Sequence, residues 1–217
     1  MSSDIRRLAD TLLRIFQVAG KSSEWIMKLA EEEVHGPYKD KDPPTRLVMD
    51  YDTGLLDMEA EPVVWRNPTQ ANLNDAYILF RGNTLLTKSM DTHMKRLGRD
   101  YLEEVLGPHL KKIADEDLYC EIDPSKVDRA EDVGKNIKML LGLARGIWQS
   151  IYASPQRCPM ELRKIMKHIR GCVEARFGKL LQSVSFSSVS GFLFLRFFCP
   201  AILNPKLFGL LKGQCCI

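Results

Sequence analysis

Apolar side chains recur at helical spacing through nearly all of this 217-residue chain. The clearest stripe covers residues 133–151, where apolar residues follow one another at steps of three and four. No stretch alternates apolar and polar residues over five or more positions, as a half-buried β-strand does. The sequence therefore predicts an all-α fold, a multi-helix orthogonal or bundle-like array.

Turn-forming residues set the expected ends of the helices. Gly20 ends the first helix, and Gly36–Pro37 ends the second. A helical pattern returns over residues 72–80, and Gly107–Pro108 is expected to end the next helix, which begins near residue 85. The remaining expected helices cover residues 109–114, 130–153, 160–177 and 191–199, the last of them after a Ser-rich stretch over 183–190.

Proline is concentrated between residues 36 and 72, which hold five of the eleven prolines and mostly acidic charges. Such a segment predicts a long irregular loop, which we expect to be mobile. It divides the chain into residues 1–70, a helical pair with the Pro-rich loop, and residues 71–217. We expect the two parts to form one structural unit.

Composition excludes several classes of protein. The chain is 45% apolar and 27% charged, so it is neither disordered, collagen-like nor a disulfide scaffold. Its net charge is only +3, but residues 156–217 hold ten Lys/Arg against two Asp/Glu, and the rest holds 21 against 26. This basic C-terminal third indicates either a partner with a negative surface or a solvated helix face.

Motifs for metal, nucleotide, secretion and membrane insertion are missing from the sequence. The six cysteines lack paired metal spacing and are interpreted as reduced thiols of an intracellular protein. The N-terminus lacks the apolar core of a signal peptide, and the most apolar run, residues 189–203, is too short to span a bilayer. The four histidines are expected at the surface. His168 and Cys172 are spaced to share a ligand, but two residues do not make a zinc site.

Arg196 is the most informative residue, since it lies inside the apolar run FLFLRFF. A guanidinium buried without partners costs several kcal/mol, so Arg196 must meet a carboxylate or several backbone carbonyls of a nearby loop. It either ties core loops together or holds a catalytic loop in position, and the two roles are compatible. Arg81 begins the short connector Arg81-Gly82-Asn83-Thr84, where composition alone indicates a solvated loop residue.

Three segments in order resemble the Ras GTPase-activating protein family. The run FLFLRFFCPAILNP is similar to its signature FLRxxxPAxxxP, here formed by Phe194, Leu195, Arg196, Pro200, Ala201 and Pro205. The segment ILFRGNTLLTKSMDTHMKRLG resembles the family's finger-loop region, and CEIDPSKVDRAEDVGKNIKMLL resembles the stretch between the two. The resemblance covers roughly residues 70–210.

The resemblance implies an all-helical RasGAP-type domain whose groove binds a Ras-like small GTPase in its GTP form. Arg81 matches the arginine finger that enters the GTPase active site. Arg196 matches the arginine that holds the finger loop through its backbone, and Leu195, Leu203 and Thr84 match positions that contact the GTPase. No cofactor or metal is expected in this chain, because the partner holds GTP and Mg²⁺.

The expected function is therefore stimulation of GTP hydrolysis in trans by residues 71–217, the catalytic core. A non-catalytic GTPase-binding module is the alternative, and a basic scaffold for acidic lipid or nucleic acid is a third, less favoured class. The expected location is the cytoplasm, with recruitment to the inner plasma membrane through the partner. Since the chain ends twelve residues after Pro205, family helices that follow the motif are expected to be missing, which predicts marginal stability and weakened GTPase binding.

Overall fold

The structure is a computed structural model that describes residues 2–35, 79–116, 118–127, 129–177 and 182–211. Within these ranges every regular element is helical, which confirms the predicted all-α class. Among the described residues before 178, five α-helices are found: α1 (Ser2–Val18), α2 (Ser22–His35), α3 (Leu85–Asp115), α4 (Ala130–Tyr152) and α5 (Met160–Phe177). The Pro-rich loop predicted over residues 36–72 lies outside the described residues.

The first two helices form a hairpin around Gly20. Gly20 adopts a left-handed φ of +69°, which an L side chain rarely takes, and so ends α1 as predicted. The Lys21 N–H donates to the Phe16 carbonyl across this turn at 2.8 Å. The rings of Phe16 and Trp25 then stack with centroids 4.9 Å apart, which fixes the angle between α1 and α2.

Helix α3 is the centre of the fold and contacts α1, α2, α4 and α5. It runs through Pro108 to Asp115, so the predicted end at Gly107–Pro108, and the separate helix over 109–114, are wrong. A proline inside a helix removes one hydrogen bond and crowds the preceding turn. Continuation buries Leu106 before the proline and Leu110 after it, and this burial outweighs that local cost.

The chain from residue 182 to residue 203 is one continuous helical segment. It comprises α6 (Gln182–Ser190), a π-helical stretch (Gly191–Phe198) and α7 (Cys199–Leu203). The Ser-rich stretch that precedes residue 191 is thus itself helical. The Ser188 hydroxyl donates to the Val184 carbonyl at 2.8 Å, so it bonds the preceding helical turn instead of competing with the helix.

This continuous segment changes one expectation from the sequence. Residues 183–203 are long and apolar enough to cross a membrane by length and composition, with a mean hydropathy of 1.6. The expectation that the apolar run is too short to span a bilayer is therefore wrong for the helix as a whole. Phe192 and Phe197 are buried against the other helices and Phe197 lies directly on Gly98 of α3, although only 28% of the apolar stretch is buried. A core helix meets the same length and composition test.

His93 of α3 corrects another expectation, since it is completely buried instead of lying at the surface. Its Nε2 lies 3.2 Å from a Glu161 carboxylate oxygen of α5, and its Nδ1 lies 3.4 Å from Arg96. Burial lowers the pKa of His93, partly offset by the Glu161 charge. Ser22 and Ser23 of α2 donate to the same carboxylate, so this polar cluster joins α2, α3 and α5.

Candidate functional site

Residues 79–84, which we call the Arg81 loop, precede α3 and present Arg81 to solvent. Phe80 is buried and has a φ of +61°, the one left-handed non-glycine residue among those described. A bulky residue in this conformation is strained and persists only where its surroundings hold it. The Phe80 ring packs 5.3 Å from that of Phe192, and this buried anchor leaves the neighbouring Arg81 side chain outside.

Arg196 holds the backbone of the Arg81 loop. Its Nη2 donates to the carbonyls of Phe80, Arg81 and Gly82 at 3.2, 3.3 and 2.9 Å. Its Nη1 lies 3.3–3.4 Å from both carboxylate oxygens of Asp91 on α3. A buried guanidinium needs acceptors, and this one has both kinds that the sequence argument required: a carboxylate and several loop carbonyls.

The ion pair between Arg196 and Asp91 is mostly withdrawn from water, with side-chain exposures of 15% and 14%. Burial raises the pKa of Asp91, and the Arg196 guanidinium opposes that rise. Removing one partner of a buried pair leaves the other charge without compensation, which costs about 3–5 kcal/mol. Arg196 therefore couples the Arg81 loop energetically to Asp91 of α3, because one guanidinium bonds both.

Thr84 closes the Arg81 loop as the N-cap of α3. Its Oγ1 accepts the Thr87 backbone N–H at 3.2 Å, and the Thr87 Oγ1 accepts the Thr84 N–H at 2.9 Å. The Thr87 hydroxyl also donates to the Gly82 carbonyl at 2.9 Å. These reciprocal bonds satisfy donors that a helix start leaves unpaired. The hydroxyl of Thr84 is thus engaged within the chain, and its predicted contact with a GTPase stays a prediction.

Leu195 and Leu203 flank Arg196 on the continuous helical segment and are strongly exposed, at 63% and 73%. The π-helical stretch makes this possible, because its wider turn buries Phe197 and Phe198 while Leu195 faces outward. Exposed Trp148 of α4 extends the apolar surface, with its ring 5.9 Å from that of Phe194. An exposed apolar surface beside a cationic loop is typical of a protein-binding site.

Three contributors to this site were not identified from the sequence: Phe80, Asp91 and Glu33. The burial argument for Arg196 implied a carboxylate but could not select Asp91 among the 28 acidic residues. The strain at Phe80 has no sequence signal, since aromatic residues do not favour a positive φ. Glu33 lies on α2, far from both motifs in sequence, and accepts a hydrogen bond from Thr84 Oγ1 at 2.5 Å.

Neither a metal centre nor a cofactor cradle is apparent in the described part of the chain. Within those ranges no three His, Cys, Asp or Glu side chains come together in a geometry that holds a metal ion. His168 Nε2 lies 3.5 Å from Cys172 Sγ and 3.0 Å from a Glu31 carboxylate oxygen. Cys120, Cys158, Cys172 and Cys199 are free thiols.

Comparison with known proteins gives the same family as the motifs. The RasGAP family profile, described as GTPase-activator protein for Ras-like GTPase, matches residues 25–135 and 129–216. The match begins at residue 25, well before the segments that carry the resemblance in the sequence.

Individual relatives agree with this match. The "Probable Ras GTPase-activating-like protein ngap" of Dictyostelium discoideum is 46% identical over 65% of the chain and 16% of its own length. The "RasGAP-activating-like protein 1" of Mus musculus is 41% identical over 64% of the chain and 19% of its own length. The "GTPase activating protein BUD2" of Candida albicans is 29% identical over 98% of the chain and 21% of its own length. The chain thus spans about a fifth or less of these relatives, and it belongs to the RasGAP family.

Proposed function

We propose that this chain accelerates GTP hydrolysis by a Ras-like small GTPase, and that Arg81 is the arginine finger supplied to the partner's active site. The observation that carries the proposal is an exposed arginine on a strained loop, three of whose carbonyls are bound by one guanidinium that is mostly withdrawn from water. The family to which the chain belongs and the names of its relatives support a Ras-like GTPase as the partner.

The chemistry of phosphoryl transfer explains why this position needs arginine. The transition state spreads negative charge over the γ-phosphoryl oxygens and the leaving oxygen, and fixed donors in a water-excluded site stabilise that charge. Arginine offers a planar fork of donors and stays charged, whereas lysine offers a point charge on a flexible stem. Arginines supplied in trans to Ras-type GTPases are known to contribute about 10³–10⁵ in rate.

The bonds from Arg196 explain how the chain would limit the entropic cost of catalysis. A loop that became ordered only on binding would lose backbone freedom at about 1–2 kcal/mol per residue. The loop carbonyls are already bound and Phe80 is already anchored, so the position of the Arg81 backbone is set before the partner arrives. Arg196 in this proposal is a positioning residue, and Arg81 alone contacts the reacting phosphate.

The partner would be the GTP form of the GTPase, with GTP and Mg²⁺ held by that partner. Leu195, Leu203 and Thr84 are proposed to contact it, because the two leucines offer exposed apolar area beside the loop. A cytoplasmic location, with recruitment to the inner plasma membrane through the partner, belongs to the same proposal. Nucleic acid has no role in it.

A panel of Ras, Rap and related GTPases tests the proposal by single-turnover GTP hydrolysis with and without this chain. Wild-type chain is expected to accelerate hydrolysis by at least one GTPase. Arg81→Ala is expected to lose about 10³ in rate with little loss of binding, because the interaction forms mainly in the transition state. Arg81→Lys should be nearly as slow.

Arg7→Ala, which removes an exposed arginine of α1, is the matched control and should keep wild-type activity. An Arg81→Ala variant with most of its activity would contradict the finger assignment. Binding of the GTP-loaded partner by wild-type chain, without acceleration, would instead support a non-catalytic binding module.

A further inference from the structure

Glu33 of α2 contacts residues that flank Arg81 in sequence, although Glu33 lies outside both motifs. Its carboxylate accepts the Thr84 Oγ1 hydrogen bond at 2.5 Å, and a backbone hydrogen bond from Phe80 helps to lower the pKa of the same carboxyl. Phe80 immediately precedes Arg81, and Thr84 ends the loop. One side chain, 51 residues away from Thr84 in sequence, thus joins the beginning and the end of the Arg81 loop.

The contacts of Glu33 and Arg196 are chemically complementary. Arg196 has only donors and takes the carbonyls of residues 80, 81 and 82, whereas ionised Glu33 has only acceptors and takes an N–H and an O–H. Hydrogen bonds to a charged group are roughly twice as strong as neutral ones. Together the two side chains bond both kinds of polar backbone group around Arg81.

The strain at Phe80 indicates why the carboxylate is needed. A left-handed φ at a bulky residue costs about 1–3 kcal/mol and persists only when several contacts hold it. Arg196 holds the Phe80 carbonyl and Phe192 holds its ring, but neither fixes the N–H. Glu33 supplies that third contact and so helps to fix the backbone conformation of Phe80, the residue that immediately precedes Arg81.

Glu33 itself is placed at an energetic cost. It is half-buried on α2, and burial raises its pKa, while bonds from Thr84 and Phe80 and the Arg196 charge oppose that rise. A carboxylate that is expensive to bury contributes little to global stability. The position of Glu33 is therefore better explained by the backbone groups that it orients than by a contribution to global stability.

We propose that Glu33 is a positioning residue for Arg81: its carboxylate fixes Phe80 and Thr84 and so holds the loop in the geometry that inserts the finger. This inference rests on the proposed function. Its local part, the control of the loop backbone by Glu33, is measurable without any GTPase.

The test compares Glu33→Ala, Glu33→Gln and the control Glu24→Gln, which removes an exposed carboxylate from the same helix. The first readout is the amide hydrogen exchange rate of Phe80 in the full chain, measured by NMR. Glu33→Ala should accelerate it at least tenfold while buried amides of α3 keep their rates. Glu33→Gln should fall between, because its amide oxygen can still accept the Phe80 N–H. Glu24→Gln should match wild type.

The second readout is single-turnover GTP hydrolysis at saturating chain with a GTPase that responds to wild type. Glu33→Ala should lower the maximal rate by about tenfold to a hundredfold, since a loop displaced by an ångström loses about that much. The concentration of chain that gives half-maximal rate should change less than twofold. Glu33→Gln should recover part of the rate.

The outcomes separate the two proposals. Unchanged Phe80 exchange in Glu33→Ala, or equal acceleration of all α3 amides, overturns the role of Glu33. A full maximal rate in Glu33→Ala, where Arg81→Ala is inactive, overturns it while leaving the proposed function intact. A wild-type chain that stimulates no GTPase overturns the proposed function, and the Phe80 exchange rate then still decides whether Glu33 holds the loop.

Discussion

Two irregular segments of this chain are held in opposite ways. The Arg81 loop is bound by side chains from distant parts of the sequence, Arg196 being 114–116 residues away and Glu33 51 residues from Thr84. Residues 118–127, which we call the Asp123 loop, are bound mainly by their own neighbours. Asp123 accepts the N–H and hydroxyl of Ser125 at 3.0 and 2.8 Å, and Tyr119 donates to the Lys126 carbonyl at 3.2 Å.

The difference separates a simple connector from the loop that carries the proposed arginine finger. Local bonds of the Asp123 loop form wherever the chain turns, so they need no particular tertiary structure. The bonds of the Arg81 loop form only when α2, α3 and the continuous helical segment are all in place. The geometry of the Arg81 loop therefore depends on the whole fold. A substitution in the core should change the conformation of the Arg81 loop more than that of the Asp123 loop.

The largest effect on stability is expected from Arg196→Ala. Loss of three carbonyl bonds and an uncompensated Asp91 should lower the free energy of unfolding by about 3–5 kcal/mol, and displacement of the loop should lower the stimulated rate about a hundredfold. Chemical denaturation and single-turnover hydrolysis measure the two effects. Arg170→Ala, which breaks an exposed i,i+4 pair with Glu174, should cost less than about 1 kcal/mol. Equal losses of unfolding free energy and of stimulated rate in the two variants would contradict the role of Arg196 in holding the loop.

Gly98→Ala should have the next largest effect, because it disturbs the packing beneath Arg196. A Cβ at Gly98 would lie 2.2 Å from a Phe197 ring carbon, so the ring must move together with the segment that carries Arg196. Overpacking of this kind costs about 1–3 kcal/mol. Gly142→Ala on α4 meets open space and should instead stabilise by about 0.5–1 kcal/mol. A destabilisation of the same size in both would contradict the close contact with Phe197.

Asn136→Ala should act on the Asp123 loop alone. The buried Asn136 amide donates to the Glu121 carbonyl at 2.7 Å and so joins this loop to α4. Its loss should lower the free energy of unfolding by about 1 kcal/mol and leave stimulated GTP hydrolysis unchanged. Lys135→Ala, at the exposed neighbouring position, is the control and should change neither. A fall in maximal rate for Asn136→Ala would show that the two loops are coupled.

The smallest effects concern pH, and they have opposite signs in the two loops. Burial raises the pKa of Asp91 above 3.8 and that of Glu33 above 4.5, whereas bonds from Ser125 lower the pKa of exposed Asp123 below 3.8. As the pH falls through the raised pKa values, protonation of Asp91 and Glu33 relieves the cost of burying their charges. It also weakens the pair between Asp91 and Arg196 and the bond from Thr84 to Glu33. Asp123 stabilises the fold above pH 3.8 and loses that contribution as the pH falls through its lowered pKa.

Carboxyl NMR titration measures all three groups in one experiment. Asp91 and Glu33 should titrate above their ordinary values and Asp123 below its own. In Arg196→Ala the pKa of Asp91 should rise further, because the opposing positive charge is gone. An Asp91 pKa that is unchanged by this substitution would contradict the ion pair.

Much of the fold was predictable because its signals are local. The helical spacing, the stop at Gly20 and the turn formers after Arg81 all act within a few residues, and the structure agrees with them. The failures lie where tertiary burial outweighs local preference, as at Pro108 inside α3 and at buried His93. The partners of Arg196 were predictable as a chemical class but not as residues, since only the assembled helices bring Asp91 and the loop carbonyls to it.

A double-mutant cycle between Arg81→Ala and Arg196→Ala most directly tests whether Arg196 acts through Arg81. The measured quantity is the maximal single-turnover rate of GTP hydrolysis with each single variant, the double variant and wild-type chain. We expect Arg196→Ala to lower the rate about a hundredfold when Arg81 is present and to have no further effect when Arg81 is absent. An equal fold loss of rate for Arg196→Ala with and without Arg81 would contradict the conclusion that Arg196 acts by positioning Arg81.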